Sequence, residues 1–200
     1  MKGIDDLIKK ALDMRGKGLN TAEIAENLNV SLETATWLLT RPKLSEETKP
    51  RDIYIDWSNI GRSSERMRLV AEMLADLALD TVDIRDVDVV LGIAINGIPL
   101  GALMADVLDK KFGIINPKQE ISENDESSRS FLSSNFSDVD GKKCIVVDDI
   151  ITTGRTAKVT LNHLKSVSAD VLLMVVIIDK KGISSIDGVT IKSLIHVETI

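Results

Sequence analysis

Residues 144–156 read Cys-Ile-Val-Val-Asp-Asp-Ile-Ile-Thr-Thr-Gly-Arg-Thr. The apolar run Ile145, Val146, Val147 has the composition of a buried strand, and it ends in two adjacent carboxylates before a Thr/Gly turn that opens a helix. At the carboxyl edge of a parallel strand, Asp148 and Asp149 can accept hydrogen bonds from vicinal sugar hydroxyls. The hydroxyls of Thr152, Thr153 and Thr156, with the backbone N–H groups of the turn through Gly154 and Arg155, suit a phosphate dianion at a helix N-terminus. Gly154 lets the backbone come close to it. The chemistry is that of a ribose 5-phosphate cradle; the plainer alternative is a strand that ends and a helix that is capped.

Around this stretch, short β-rich runs alternate with segments of 3.6-residue periodicity. The runs lie at 52–55, 87–92, 113–115, 143–148, 171–178 and 190–197, and the helical segments at 63–79, 98–110 and 155–167. Such alternation predicts an α/β fold with a mainly parallel sheet flanked by helices. On 63–79 the periodicity points Met67, Val70, Met73, Leu74 and Leu77 at a core. Residues 119–140 are rich in Ser, Asp and Glu; they read as a solvated insertion or as a lid over a site. Residues 40–50 hold two of the four prolines, so the chain divides into a helical module at 1–42, a linker at 43–51 and the α/β domain at 52–200.

Composition narrows the classes. The chain has 200 residues, 44% of them hydrophobic and 3% aromatic, with mean hydropathy +0.07 and net charge -6. An acidic protein is not a general polyanion binder. The acidity is uneven: residues 1–45 hold seven Lys/Arg and six Asp/Glu, and residues 46–200 hold 18 and 25. A nucleic-acid role therefore belongs to the N-terminal module. The single Cys144 and the distant His163 and His196 argue against a disulfide or a zinc centre; Cys144 reads as a small buried hydrophobe and each histidine as a surface or partner-satisfied side chain. The longest apolar run, 171–178, is too short to span a membrane, and the acidic start is unlike a signal peptide, so a cytoplasmic location is expected.

In the N-terminal module, Leu7, Ile8, Leu12, Leu19, Ile24, Leu28, Ala35 and Leu38 can face one small core, with Ala25 at a close helix crossing. Asn29 tolerates the left-handed conformation of a tight turn, and Ser31 can cap the next helix. Residues 21–40 thus resemble the helix-turn-helix family, with Asn29 in place of the usual turn glycine. The resemblance implies that residues 21–43 bind double-stranded DNA, with Ser31, Glu33, Thr34, Thr36, Trp37 and Arg41 on the outward face and Lys43 just beyond it. A dimerisation bundle is the alternative, and Trp37 can equally pack on the linker or the main domain.

Residues 144–156 closely resemble the phosphoribosyl-diphosphate (PRPP) signature of type I phosphoribosyltransferases. The resemblance implies that Asp148 and Asp149 hold ribose hydroxyls, that residues 152–156 hold the 5-phosphate, and that Mg²⁺ accompanies PRPP, bound mainly through the ligand and also through Asp148. Residues 90–100 look like the family's pyrophosphate loop, which places Ala94, Ile95, Asn96 and Gly97 at the ligand. Residues 52–57 resemble the hood strand of the orotate branch, and 178–182 its Asp-Arg-x-x-Gly turn, with Lys180 in the arginine position. Residues 114–119 sit where that branch carries its catalytic loop, and Lys118 is its remaining basic residue. Asn96 replaces the lysine often found before the loop glycine, and Ser58 stands where the hood carries arginine. Phosphoribosyl transfer develops negative charge on the leaving pyrophosphate, so the loss of these cations argues for binding without turnover. A helix-turn-helix joined to such a domain is similar to archaeal transcriptional regulators of the GfcR type, linked to sugar catabolism. The expectation is a homodimeric, DNA-binding sensor of PRPP or a related phosphorylated sugar; the alternative is an active orotate or other base phosphoribosyltransferase.

Overall fold

The computed structural model describes residues 4–40, 50, 52–117 and 135–198. Arg41, Lys43 and Lys118, most of the linker expected at 43–51 and residues 119–134 of the acidic segment lie outside them. The chain forms two compact units, Met1–Asp56 and Trp57–Ile200.

The first unit is all-helical: α1 (Ile4–Gly16), α2 (Thr21–Asn27) and α3 (Leu32–Thr40). Asn20 opens α2 with a capping box, its side chain accepting from Glu23 N at 3.0 Å while Glu23 returns the bond to Asn20 N at 2.7 Å. Asn29 takes the left-handed turn at φ 53°, and Ser31 Oγ accepts Thr34 N at 3.1 Å, both as the sequence predicts. Ile8, Ala11, Ile24, Ala25, Leu28, Val30, Ala35 and Leu38 form the core, with Leu7, Leu19, Trp37 and Tyr54 packed against it. Leu12 does not join them. It is exposed, because α1 turns Ile8 and Ala11 inward instead.

Residues 52–55 form no strand with the described residues, in contrast to the hood strand expected of them. They are held by side chains of the first unit: Asp52 Oδ2 accepts Ser31 N at 2.7 Å and Thr34 Oγ1 at 3.0 Å, and Lys10 Nζ donates to the Tyr54 hydroxyl at 3.2 Å. Asp52 thereby serves the N-terminus of α3, where a carboxylate meets unpaired amides and the positive end of the helix dipole.

The second unit begins with α4 (Ser58–Gly61) and α5 (Ser64–Leu79), followed by a 3-10 turn at Ile84–Asp86. Then come β1 (Val89–Ile93), α6 (Gly97–Val107), β2 (Lys111–Ile115), β3 (Lys143–Ile151), α7 (Arg155–Ser166), β4 (Asp170–Asp179), β5 (Ser185–Ile186) and β6 (Val189–His196). They build a six-stranded sheet of order β2-β1-β3-β4-β6-β5, parallel except for the β5–β6 pair. The α/β sheet predicted from the apolar runs is present, with one shift that matters: β3 runs on to Ile151, pairing Ile150 with Ile178 and Ile151 with Asp179. Asp148 and Asp149 therefore lie within the strand and not beyond its end.

The central strands β1, β3 and β4 are almost wholly buried, which accounts for their unbroken Ile/Val/Leu composition. Cys144 is enclosed in this core, and burial pushes its thiol up to about 12, so it packs as a small apolar side chain. Val139, at the end of the 119–140 segment, is wholly buried in the same core, and Phe136 meets Phe112 edge-on with centroids 5.6 Å apart. On α5, Met67, Val70 and Leu74 are buried and Leu77 partly so, but Met73 faces outward, 51% exposed.

At three glycines the backbone of α6 and the sheet come into direct contact. A Cβ at Gly97 would stand 2.4 Å from Val147 O, one at Gly92 2.6 Å from Gly97 O, and one at Gly101 2.9 Å from Gly92 Cα. Any side chain at 97 would lift α6 off β3. Gly97→Ala is expected to destabilise the second unit by about 3 kcal/mol, read as a lower urea midpoint at unchanged m-value, while Gly16→Ala, with open space around it, leaves the midpoint unmoved.

Candidate functional site

The strand order reverses between β1 and β3: from β1 the chain passes to β2 on one side and β3 on the other. In an open parallel sheet, the crevice for a ligand lies at the carboxyl ends of the strands on either side of that point. Here it is lined by the loop after β1 (94–97), the end of β3 with the turn that follows (148–154) and the turn after β4 (180–183).

Asp149 lies at its centre. It is 4% exposed, and its Oδ2 accepts two hydrogen bonds of 3.0 Å, from Trp57 Nε1 and from Asn96 Nδ2. Burial pushes its carboxyl above the usual carboxylate range; a shared hydrogen bond with Asp148, the backbone at Ile150, Asn96 and Trp57 pull the other way without cancelling it. Asp148 is only half-buried, and its Oδ1 accepts the Asp149 backbone N–H at 2.9 Å. Of the two acids, Asp148 is the more open to a ligand.

The other residues singled out from the sequence fall around this pair. Asn96 touches Asp149, and Gly97 lies against Val147 O and Asp148 Cα. Ala94 is tied to β2 through its N–H to Ile115 O at 2.8 Å, while Ile95 is 70% exposed. Gly154 turns the chain at φ 77° into α7, where Arg155 and Thr153 are exposed and Thr152 and Thr156 are half-buried. Arg155 N donates to Thr153 Oγ1 at 3.4 Å. Lys180 is drawn in by its N–H to Ile151 O at 3.0 Å, and Asp179 fixes the rest of that turn by accepting Lys181 N at 2.8 Å and Ile183 N at 2.6 Å. Ile183 and Ile186 reach back over Gly154, so the two turns support each other.

Two residues join the site that sequence reading did not place there. Trp57 was only part of a resembling stretch; its indole packs over Gly61 of α4 and reaches a carboxylate 92 residues away. His196 read as a surface or partner-satisfied side chain, and it pairs along the strands with Asp179 at the end of β6 and abuts Gly182 in the Lys180 turn. Its position at the carboxyl end of a parallel strand was the available signal. His163 is buried on α7 and not at the surface. Among the described residues, no group of three or more His, Cys, Asp or Glu could hold a metal ion by itself.

In the first unit, the outward set on α3 is smaller than expected. Glu33 and Thr36 are exposed, and so is Leu32, which was not singled out. Ser31 and Thr34 are half-buried and turned to Asp52, and Trp37 packs against the helical core. The reason lies in Asp52, a partner that comes from beyond the linker and cannot be seen from the helix periodicity.

The phosphoribosyl transferase domain family matches residues 56–185. The Transcriptional regulator GfcR of Methanothrix thermoacetophila is 42% identical over 199 residues, and GfcR 2 of Methanosarcina acetivorans 44% over 200 residues, each alignment covering 98% of both chains. Among solved structures, the orotate phosphoribosyltransferase of Mycobacterium tuberculosis in complex with 5-phospho-α-D-ribosyl 1-diphosphate is similar at TM-score 0.56, with 18% identity over 72% of this chain and 81% of that one. Among the described residues, no helix is long and apolar enough to cross a membrane.

Two measurements follow from the geometry around Asp149. Its raised pKa means that the folded state favours the protonated carboxyl: that contribution is intact below the ordinary carboxylate range and is lost as pH rises through the raised value. Asp149→Asn is therefore expected to match or exceed the wild-type melting temperature at pH 7, with the advantage disappearing as pH falls to about 4. Trp57→Phe removes a donor from a buried carboxylate and is expected to cost about 2 kcal/mol at pH 7, less in acid, measured by urea unfolding at both pH values.

Proposed function

The chain belongs to the phosphoribosyl transferase domain family and, over its whole length, to the group of GfcR transcriptional regulators; from that premise we propose a DNA-binding regulator whose cradle binds PRPP or a related phosphorylated sugar without transferring the phosphoribosyl group. The observation that carries this reading is Asn96. It stands in the loop position where the resembling enzymes often carry lysine, it is neutral, and its amide is turned to Asp149. On this reading the shape of a phosphoribosyl site would be kept, while a cation that would stabilise the leaving pyrophosphate is gone. Lys180 in place of arginine and Ser58 in the hood position act in the same direction.

In this reading Asp148 and Asp149 take the ribose hydroxyls, and residues 152–156 take the 5-phosphate at the start of α7. Mg²⁺ would draw its oxygens mainly from the ligand's diphosphate and ribose, with Asp148 as the half-exposed protein carboxylate; one such donor suits a small cation that keeps much of its water and phosphate shell. The α2–turn–α3 geometry supports a DNA-reading head, with Glu33 and Thr36 exposed on α3; Arg41 and Lys43 are the bases that the sequence supplies just after it. The working form is a cytoplasmic homodimer, since two heads match a two-fold-related pair of half-sites.

Thermal shift with PRPP and with ribose 5-phosphate, each with and without Mg²⁺, tests the cradle. A Mg²⁺-dependent rise with PRPP is expected, and Asp148→Ala is expected to weaken binding by at least about tenfold. Fluorescence anisotropy on a duplex selected from a random-sequence pool tests the head, with salt-dependent binding that PRPP alters. No shift with either ligand at millimolar concentration overturns the sensor reading. Pyrophosphate release from PRPP with orotate or another base overturns the non-catalytic one.

A further inference from the structure

Helix α5 is apolar on two sides. Met67, Val70, Ala71, Leu74, Ala75 and Ala78 are buried, yet Leu69 and Met73 stand 52% and 51% exposed on another face. Exposed Arg66 precedes them and exposed Asp76 follows, so the stripe Arg66, Leu69, Met73, Asp76 is spaced by three, four and three residues, the rhythm of a helix–helix seam. From its N-terminal end the stripe reads base, apolar, apolar, acid. Such an order complements a copy of itself in one orientation only, antiparallel about a two-fold axis through Ala71. There Leu69 meets the partner's Met73, and Arg66 meets the partner's Asp76, each contact occurring twice by symmetry. Next to the stripe, Arg68 and Glu72 neutralise each other on the same helix at 2.7 Å and add no like-charge clash.

We propose that this face of α5 is a homodimer interface in which a second copy of the chain packs antiparallel along the Arg66–Asp76 stripe. The charge order selects the occupant. A DNA backbone is repelled by the acidic end, and an unrelated helix has no reason to carry the mirrored order. The inference gives a surface to the pairing proposed above, and it can fail separately, because a monomeric chain can still show the Mg²⁺-dependent PRPP shift.

Sedimentation equilibrium of the full chain tests it, at protein concentrations from about 1 to 100 µM. Wild type is expected to dimerise, and Met73→Glu to raise the dissociation constant by at least about 100-fold with an unchanged circular-dichroism spectrum, since the side chain is exposed in the single chain. Asp76→Arg faces the partner's Arg66 and is expected to weaken the dimer about tenfold; Arg66→Glu combined with Asp76→Arg swaps the charges and is expected to return it to within about threefold of wild type. Three results overturn the proposal: a wild type monomeric throughout, a dimer that Met73→Glu leaves intact, or a charge swap that fails to restore what Asp76→Arg removed. An intact Met73→Glu dimer would assign the pairing to another face.

Discussion

The backbone contact between Gly97 and β3 sets the geometry of the site. With the Gly97 backbone pressed on Val147 O and Asp148 Cα, the residue before it is held at the level of the strand's acids, and Asn96 meets Asp149 at 3.0 Å. Gly92 and Gly101 extend the contact along α6, so the loop is positioned by main chain and not by the identity of its side chains. This separates shape from charge. A side chain at 96 can change from cationic to neutral without moving the crevice, and an enzyme-like cradle can lose its electrostatic stabilisation while its architecture stays the same.

Asp149 shows the other half of that separation. A carboxylate removed from water is costly unless donors compensate it. Here two donors come from distant parts of the chain, and burial still dominates. Trp57 ties the start of the second unit to the middle of its sheet through this one oxygen. Five residues earlier in the chain, Asp52 holds the N-terminus of α3. The short run 52–57 thus has polar anchors at both ends, one serving the helical module and one serving the cradle. At the first end the Asp52 carboxylate accepts from Ser31 N and Thr34 Oγ1, and at the other the Trp57 indole donates to Asp149.

What was legible in the sequence follows the range of the interaction that decides it. The parallel sheet was readable because β1, β3 and β4 are buried on both faces and must be apolar throughout. The turn at Asn29 and the cap at Ser31 were readable because each is settled within a few residues. Periodicity failed where a remote partner decides. It assigned Ser31 and Thr34 to an outer surface although Asp52 holds them, read 52–55 as a strand that no neighbour pairs, and left Trp57 without its carboxylate. It also sent Met73 and Leu12 inward, since a helix with apolar residues on two faces does not say which face meets the core. Around the crevice, the motif at 144–156 placed the two acids and the glycine turn into α7, but the strand end at Ile151 depends on pairing with β4.

The charge distribution links these pieces. Residues 1–45 carry seven bases and six acids, and the described α3 has neither Lys nor Arg. Phosphate neutralisation is the sequence-independent source of affinity for DNA, so one such head would hold a duplex weakly. The capping acid Asp52 lowers the local potential further at the end of α3 that otherwise favours an anion. In the proposed regulator such a head would need a second one at fixed spacing, because tethering turns the second contact into an intramolecular event and multiplies affinity without new contacts. On that proposal, recognition would depend on the relation between two chains more than on the chemistry of a single α3, and a pairing helix whose charge order admits one orientation is what would keep that relation constant.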